Sequence, residues 1–305
     1  MKIVCMESRC KKMQTYPFHL VNVFAESHFG GNPLAVFPNA DGLTDEQMQA
    51  IAQQFNLSET VFIFAPTDLH GTTAVADLRI FTPNYEMPLA GHPTLGSGFI
   101  LKNLNDLPSQ FVVNTQAKSV EIFTHDSRVD IKIQGYKAAQ SLADKATLAK
   151  VSGLMPDDMT GHAYFINSGT QQILVELTNR QALANVQIDM AKLRELNIDN
   201  PFKTTEEPSI YYWFANGEII HSRMFFEQNK ILVEDSGTGS ACANLGAYFI
   251  LKNQFPITKN ILQGDDMGRP NRLTLKVDNE QQIFVGGNVI EVGKGEFYLP
   301  SHTVR

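Results

Sequence analysis

Three cysteines stand in the 305 residues, Cys5, Cys10 and Cys242. They are too few for a disulfide framework and form no pair at metal spacing. A reducing, cytoplasmic setting is therefore expected, without a zinc site. No apolar run approaches the ~20 residues of a membrane-spanning helix, so no membrane association is expected. The first dozen residues carry Lys2, Arg9, Lys11 and Lys12 but no apolar stretch. That pattern is not a secretory signal, and residues 1–12 read as an extension without function. The formal charge is -7 and no basic cluster occurs, which argues against a nucleic-acid partner. Low-complexity segments are missing as well.

Several chemistries lack their equipment. No glycine-rich turn ends in the G-K-[ST] of a phosphate-binding loop. Gly237-Thr238-Gly239-Ser240-Ala241-Cys242 has Cys where the dinucleotide fingerprint needs its third glycine. The eight histidines are scattered and none belongs to an H-E-x-x-H pair. Gly96-Ser97-Gly98 lies inside an apolar helical stretch rather than at a strand-to-helix elbow, so acyl transfer is unsupported.

What is present is an ordinary globular balance, 43% hydrophobic and 19% charged residues, on a chain long enough for two domains with full cores. The most informative stretch runs from Val233 to Asn253. It opens with Glu234 and Asp235, passes a Gly/Ser/Thr turn, and becomes apolar nearly all round from Ala241 to Leu251, with Asn244 its one strongly polar side chain. Such a helix must be buried. A buried helix that starts from a glycine turn presents free N–H groups and a positive dipole end to an anion, although an ordinary core helix has the same pattern. Shifted by 150 positions, Gly91 to Asn103 lies over Ala241 to Asn253. Leu-Gly recurs at Leu95 and Leu245, and F-I-L-K-N at Phe99 and Phe249. Two glycine-led apolar helices at matching places predict an internal duplication with both helix starts facing one cleft.

Around these helices the chain reads as short strands, among them 18–24, 34–37, 60–64, 76–81, 111–113, 119–123, 129–133, 163–166, 172–177, 210–214 and 219–226. Thr44-Asp45-Glu46-Gln47 is a capping box, followed by Met48, Ile51, Ala52 and Phe55 on one helical face. Further helices are expected near 142–151 and 190–196. A seam near residue 127 divides the chain into halves 13–127 and 128–295.

Four polar residues gather at the turns. Glu59 sits where a turn enters an apolar strand, placed for partial desolvation, although a solvated turn glutamate fits equally well. His92 precedes Pro93, a first-turn helix residue. There the dipole favours neutral imidazole, and a capping or structural His reads as well. Asp235 and Ser240 flank the second helix start. Carboxylates and an imidazole beside an anion-friendly helix start suit proton transfer at a carbon next to a carboxylate or enamine. A protein that only binds a small molecule or a partner in the same cleft remains the alternative.

Joined in order, four stretches resemble the PhzF family of phenazine-biosynthesis-like isomerases. They are Phe29-x-Gly31-Asn32-Pro33-Leu34-Ala35-Val36, Leu57-Ser58-Glu59-Thr60-Val61-Phe62, Pro88-Leu89-Ala90-Gly91-His92-Pro93-Thr94 and Glu234-Asp235-x2-Thr238-Gly239-Ser240-Ala241. Gln263-Gly264-x3-Gly268-Arg269-Pro270 adds a late match. The resemblance implies a diaminopimelate-epimerase-like α+β fold, two similar domains, each a curved, mostly antiparallel sheet around a central buried helix. It implies that the tail 296–305 returns to the first half. It further implies cofactor-independent and metal-free isomerisation of the trans-2,3-dihydro-3-hydroxyanthranilate type. Glu59 would be the general acid/base, with His92, Asp235 and Ser240 assisting. Ser58, Gly91 and Gly239 would help hold a small anionic metabolite, and the protein would form a homodimer. Related epimerases and racemases carry one cysteine at each helix start. Here Ala90 and Ser236 stand at those places, which disfavours a racemase or epimerase, and Cys242 reads as core. Ser236 also departs from the Asp-Pro frequent in the family.

Overall fold

The computed structural model describes residues 13–71, 73–202, 208–228 and 230–300. The expected extension at 1–12 and the end of the tail, 301–305, lie outside the described residues.

Each half wraps strands around one apolar helix. In the first half the strands are β1 (Met13–Val23), β2 (Asn32–Phe37), β3 (Glu59–Phe64), β4 (Ala76–Phe81), β5 (Glu86–Met87), β6 (Gln110–Asn114), β7 (Ser119–His125) and β8 (Arg128–Ile133). Helix α1 (Asp45–Phe55) lies outside them and α2 (Gly91–Leu104) inside. The second half holds β9 (Lys137–Gln140), β10 (Tyr164–Asn167), β11 (Gln171–Glu176), β12 (Ser209–Asn216), β13 (Ile219–Gln228), β14 (Ile231–Asp235), β15 (Ile257–Gln263), β16 (Asn271–Val277) and β17 (Ile283–Pro300). Its helices are α3 (Lys145–Ser152), α4 (Arg180–Ala184), α5 (Met190–Ile198) and the central α6 (Gly239–Leu251).

The topology repeats. In the first half β2 runs parallel to β3 and β4 parallel to β6, with β5 hairpinned onto β4 just before α2. In the second, β11 runs parallel to β12 and β13 parallel to β15, with β14 hairpinned onto β13 just before α6. All other ladders are antiparallel, which makes both sheets mostly antiparallel. The expected duplication thus extends from two helices to the order and sense of the strands.

One strand joins the halves. Residues 283–288 of β17 pair with β8, while 283–286 also pair with β16 on the other edge. From Val289 to Pro300 the same strand pairs with β1, Val23 to Met13. Pairing with the first half therefore begins at Ile283, thirteen residues ahead of Glu296, and it closes the first sheet into a ring of β1, β2, β3, β4, β6, β7, β8 and β17. A closed ring leaves no strand edge free for stray pairing.

Burial follows from the apolar patterns. Nine residues of α2 and ten of α6 are buried. Both helices hold a glycine under a strand where no side chain fits. A Cβ on Gly96 would stand 2.5 Å from Leu34 Cδ2, and one on Gly246 would stand 2.8 Å from Ile283 Cγ2. The shared Leu-Gly therefore marks the closest approach of helix to sheet in both halves. Outside the first ring, α1 covers Phe37, Phe62 and Phe81, and outside the second sheet α3, α4 and α5 cover a separate apolar layer.

Local expectations shift in places. The helix expected at 142–151 starts at Lys145, because Asp144 caps it by accepting from Thr147 N–H, and Leu142 is left exposed. The short elements β5, β9, β14 and α4 lack enough residues for a readable period.

Candidate active site

Four outer helices are capped by their own side chains: Thr44, Asp144, Asn179 and Asp189 each accept from a first-turn N–H. The two central helices are not. Ala90 precedes α2 with nothing to offer, and Thr238, ahead of α6, makes no capping bond. The starts meet: a Cβ on Gly91 would lie 3.5 Å from Gly239 Cα, ordinary van der Waals contact. Two uncapped positive helix ends abut at the seam of the halves, an arrangement suited to negative charge.

On one side stand Glu59 and His92. Glu59 opens β3, one residue after the exposed Ser58, and its side chain is 15% exposed, against 7% for His92. Oε2 of Glu59 lies 3.2 Å from Nε2 of His92, but the two do not align as a hydrogen bond, and neither atom has another partner. Burial, and then the nearby charge of Asp235, push the Glu59 carboxyl up to about 8. Burial pushes His92 down to about 3, opposed by its bond to the Pro33 carbonyl. Near neutral pH the pair is therefore a carboxylic acid beside a neutral imidazole. With one ring nitrogen committed to Pro33, the other presents a lone pair toward the carboxyl. Neutrality of His92 comes from burial, where the helix dipole was the expected cause.

Asp235 has the opposite surroundings. Oδ1 accepts from Asn32 Nδ2 at 3.1 Å and from Gly237 N–H at 3.2 Å, and Oδ2 accepts from the Thr238 hydroxyl at 2.6 Å. Burial outweighs these donors and raises its proton affinity above the ordinary carboxylate value. Thr238 is drawn to Asp235, which explains why it leaves the start of α6 uncapped.

Ser240, with Gly91 and Gly239, lines a small cavity that Glu59, His92 and Asp235 do not line. Its Oγ accepts from Gln172 Nε2 at 3.1 Å, which leaves the hydroxyl proton to be donated elsewhere. Gln172 in turn meets Asn244 of α6, whose amide also takes Ser168 N–H at 2.7 Å and donates to the Ile166 and Thr170 carbonyls at 2.9 Å. The lone polar residue of the apolar helix thus fixes the turn that walls the cavity.

Sequence reasoning left several positioning residues without a role. Asn32 holds Asp235 and also donates to the Gly237 carbonyl at 3.0 Å, while its neighbour Pro33 holds His92. Gln263 donates to the Asp235 carbonyl and the Thr238 hydroxyl, and Arg269 clamps the Gly31 carbonyl at 2.6 Å. All sit in the quoted glycine-rich motifs, which were the available signal. Cys242 is fully buried with its thiol pushed up by burial, and Ala90 and Ser236 hold no sulfur. Among the described residues no cluster of His, Cys, Asp and Glu fits a metal ion, and no helix is long and apolar enough to cross a membrane.

The family model for phenazine biosynthesis-like proteins matches residues 21–295. An uncharacterized isomerase of Pasteurella multocida is 45% identical over 94% of this chain and 95% of its own. The trans-2,3-dihydro-3-hydroxyanthranilate isomerase of Pseudomonas fluorescens is 30% identical over 92% of this chain and 98% of its own. A PhzF-family protein of Bacillus anthracis superposes with a TM-score of 0.80 at 22% identity, covering 94% of this chain and all of that one, a likeness of fold.

Proposed function

From a chain that belongs to the phenazine biosynthesis-like protein family, and is an isomerase like its curated relatives, we propose a specific chemistry. It moves a proton between carbons of a small carboxylate-bearing metabolite, of the trans-2,3-dihydro-3-hydroxyanthranilate type, without a cofactor. Glu59 gives and takes the proton. His92, kept neutral, orients the carboxyl and relays hydrogen bonding as the charge on Glu59 changes. Asp235, held by its three donors, orients the substrate's polar group, with Ser58 at the rim. Ser240 donates its free hydroxyl proton, and the N–H groups at Gly91 and Gly239 hold the acidic group or the anion that develops.

The observation that carries this reading is the buried Glu59–His92 pair, an acid whose proton affinity lies near neutral pH beside a helix start. A general acid/base works best when its pKa lies close to the working pH. The test is incorporation of deuterium from heavy water into candidate cyclic amino and hydroxy acids, wild type against Glu59→Gln. The variant should lose ~10²–10⁴-fold of the exchange rate; equal exchange by both proteins would sink the role of Glu59. The reading includes a cytoplasmic homodimer, for which sedimentation at micromolar concentration is the check.

A further inference from the structure

The cavity beside the helix starts has one feature the proton chemistry does not use. Its walls include Ala90 and Gly91 of the first half, Gly239 and Ser240 of the second, and the turn at Ser168–Thr170, with Lys118 and Lys132 beside them. Val120, Ile131 and Ile133 add apolar surface.

Lys132 has a partner, Glu121 at 3.9 Å. Lys118 has none: it is half-buried, and no carboxylate among the described residues pairs with its ammonium. Burial without a counter-charge pulls its pKa down. The backbone that carries the lysine is also fixed in place. Its N–H and carbonyl bond to Thr115, and its neighbour Ala117 donates to the carbonyl of Pro88, three residues before α2. A second polar group in the same wall is idle. Ser168 is 8% exposed, and its buried hydroxyl has no hydrogen-bond partner. An unpaired ammonium and an unpaired buried hydroxyl are both costly unless something meets them. Here they share a cavity with two uncapped helix ends, and every one of these groups favours negative charge.

We propose that Lys118 is a specificity-determining residue of this chain, its ammonium serving as counter-ion to the acidic group of the substrate, with the Ser168 hydroxyl as a further donor. The inference rests on the reading that a small carboxylate-bearing metabolite binds at the helix starts. It makes the cleft selective for an ionised acid over the neutral ester or amide of the same shape. Helix ends alone attract anions weakly, whereas a partly desolvated ammonium in a fixed turn discriminates strongly.

The test compares benzoate with benzamide, two probes of one shape that differ in charge, by calorimetric or NMR titration of the full chain. Wild type should prefer benzoate. Lys118→Met should weaken benzoate roughly 10- to 100-fold and leave benzamide as it was. Lys118→Arg should recover most of the benzoate affinity, and Lys132→Met should cost less than Lys118→Met, because Glu121 already shares that charge. Unchanged circular dichroism and melting temperature will separate these effects from misfolding. No preference for benzoate in wild type, or equal loss of both probes in Lys118→Met, overturns the inference. The outcomes stay distinct from those for Glu59. Benzoate binding that depends on Lys118 without deuterium exchange leaves Lys118 standing and removes the proton chemistry. Exchange that depends on Glu59 with benzoate indifferent to Lys118 does the reverse.

Discussion

Glu59 and Asp235 are two carboxyl groups of one site, near enough for the charge of one to raise the proton affinity of the other. Their surroundings differ chiefly in hydrogen-bond donors. Asp235 receives three donors, from Asn32, Gly237 and Thr238. Glu59 Oε2 receives none, and its nearest polar neighbour is a neutral imidazole. Burial raises both groups, and only Asp235 has donors to oppose it. The lesson is that donors decide how far burial is opposed: the proton affinity of Asp235 rises against its donors, that of Glu59 with none.

The comparison breaks most visibly in turnover. Glu59→Gln removes the carried proton, with the ~10²–10⁴-fold loss of exchange given above. Asp235→Asn keeps a carboxyl at 59 but removes the charge that raises it, so the alkaline limb of the pH–rate profile should move to lower pH. A limb that stays in place would show that Asp235 does not tune Glu59.

Stability against pH is the next largest effect. The folded chain keeps the Glu59 proton up to about 8, whereas the unfolded chain releases it near the ordinary 4.5. Between those values the folded state binds more protons, so stability falls as pH rises through the window. Wild type should lose on the order of a few kcal/mol to this group by pH 9. In Glu59→Gln the loss should shrink, read from urea unfolding at pH 6 and pH 9. His92 acts with the opposite sign. Its folded pKa of about 3 lies below the ordinary 6.5, so its contribution is present above 6.5 and is lost as pH falls toward 3. Glu59→Gln should leave that acid limb unchanged.

The donor side of the comparison is tested by removing donors. Asn32→Ala leaves Asp235 Oδ1 and the Gly237 carbonyl each short of a partner, at a cost of ~1–3 kcal/mol in urea unfolding. The smallest change is Thr238→Val, which deletes one donor to Asp235 at a cost of about 1 kcal/mol. It should also raise the proton affinity of Asp235, visible as a shift in its carboxyl ¹³C titration.

Much of the fold was legible because its signals are local. Thr44 and Gln47 form the expected reciprocal cap, since all its atoms lie within one turn. The repeated Leu-Gly announced two buried helices, and both proved to be the close contacts at Gly96 and Gly246. The strands expected at 119–123 and 129–133 appear as the antiparallel neighbours β7 and β8. What could not be read is long-range. The partner of Asp235 is 203 positions away at Asn32, and Arg269 reaches back 238 positions to Gly31. No period or turn residue encodes such a meeting. The length of β17 was likewise hidden, because its glycines and charges weaken the strand pattern while its partners β8, β16 and β1 are mostly distant in sequence.

The chain by itself determined which chemistries are possible. It supplies carboxyls, an imidazole, hydroxyls and two glycine-led apolar helices, and it withholds a thiol from both helix starts. Tertiary structure decided what those groups are. Whether Glu59 is an acid or a solvated anion depends on how much water and how many donors reach it. Those quantities are set where β3, the start of α2 and the end of β14 meet, and no stretch of either half contains them alone.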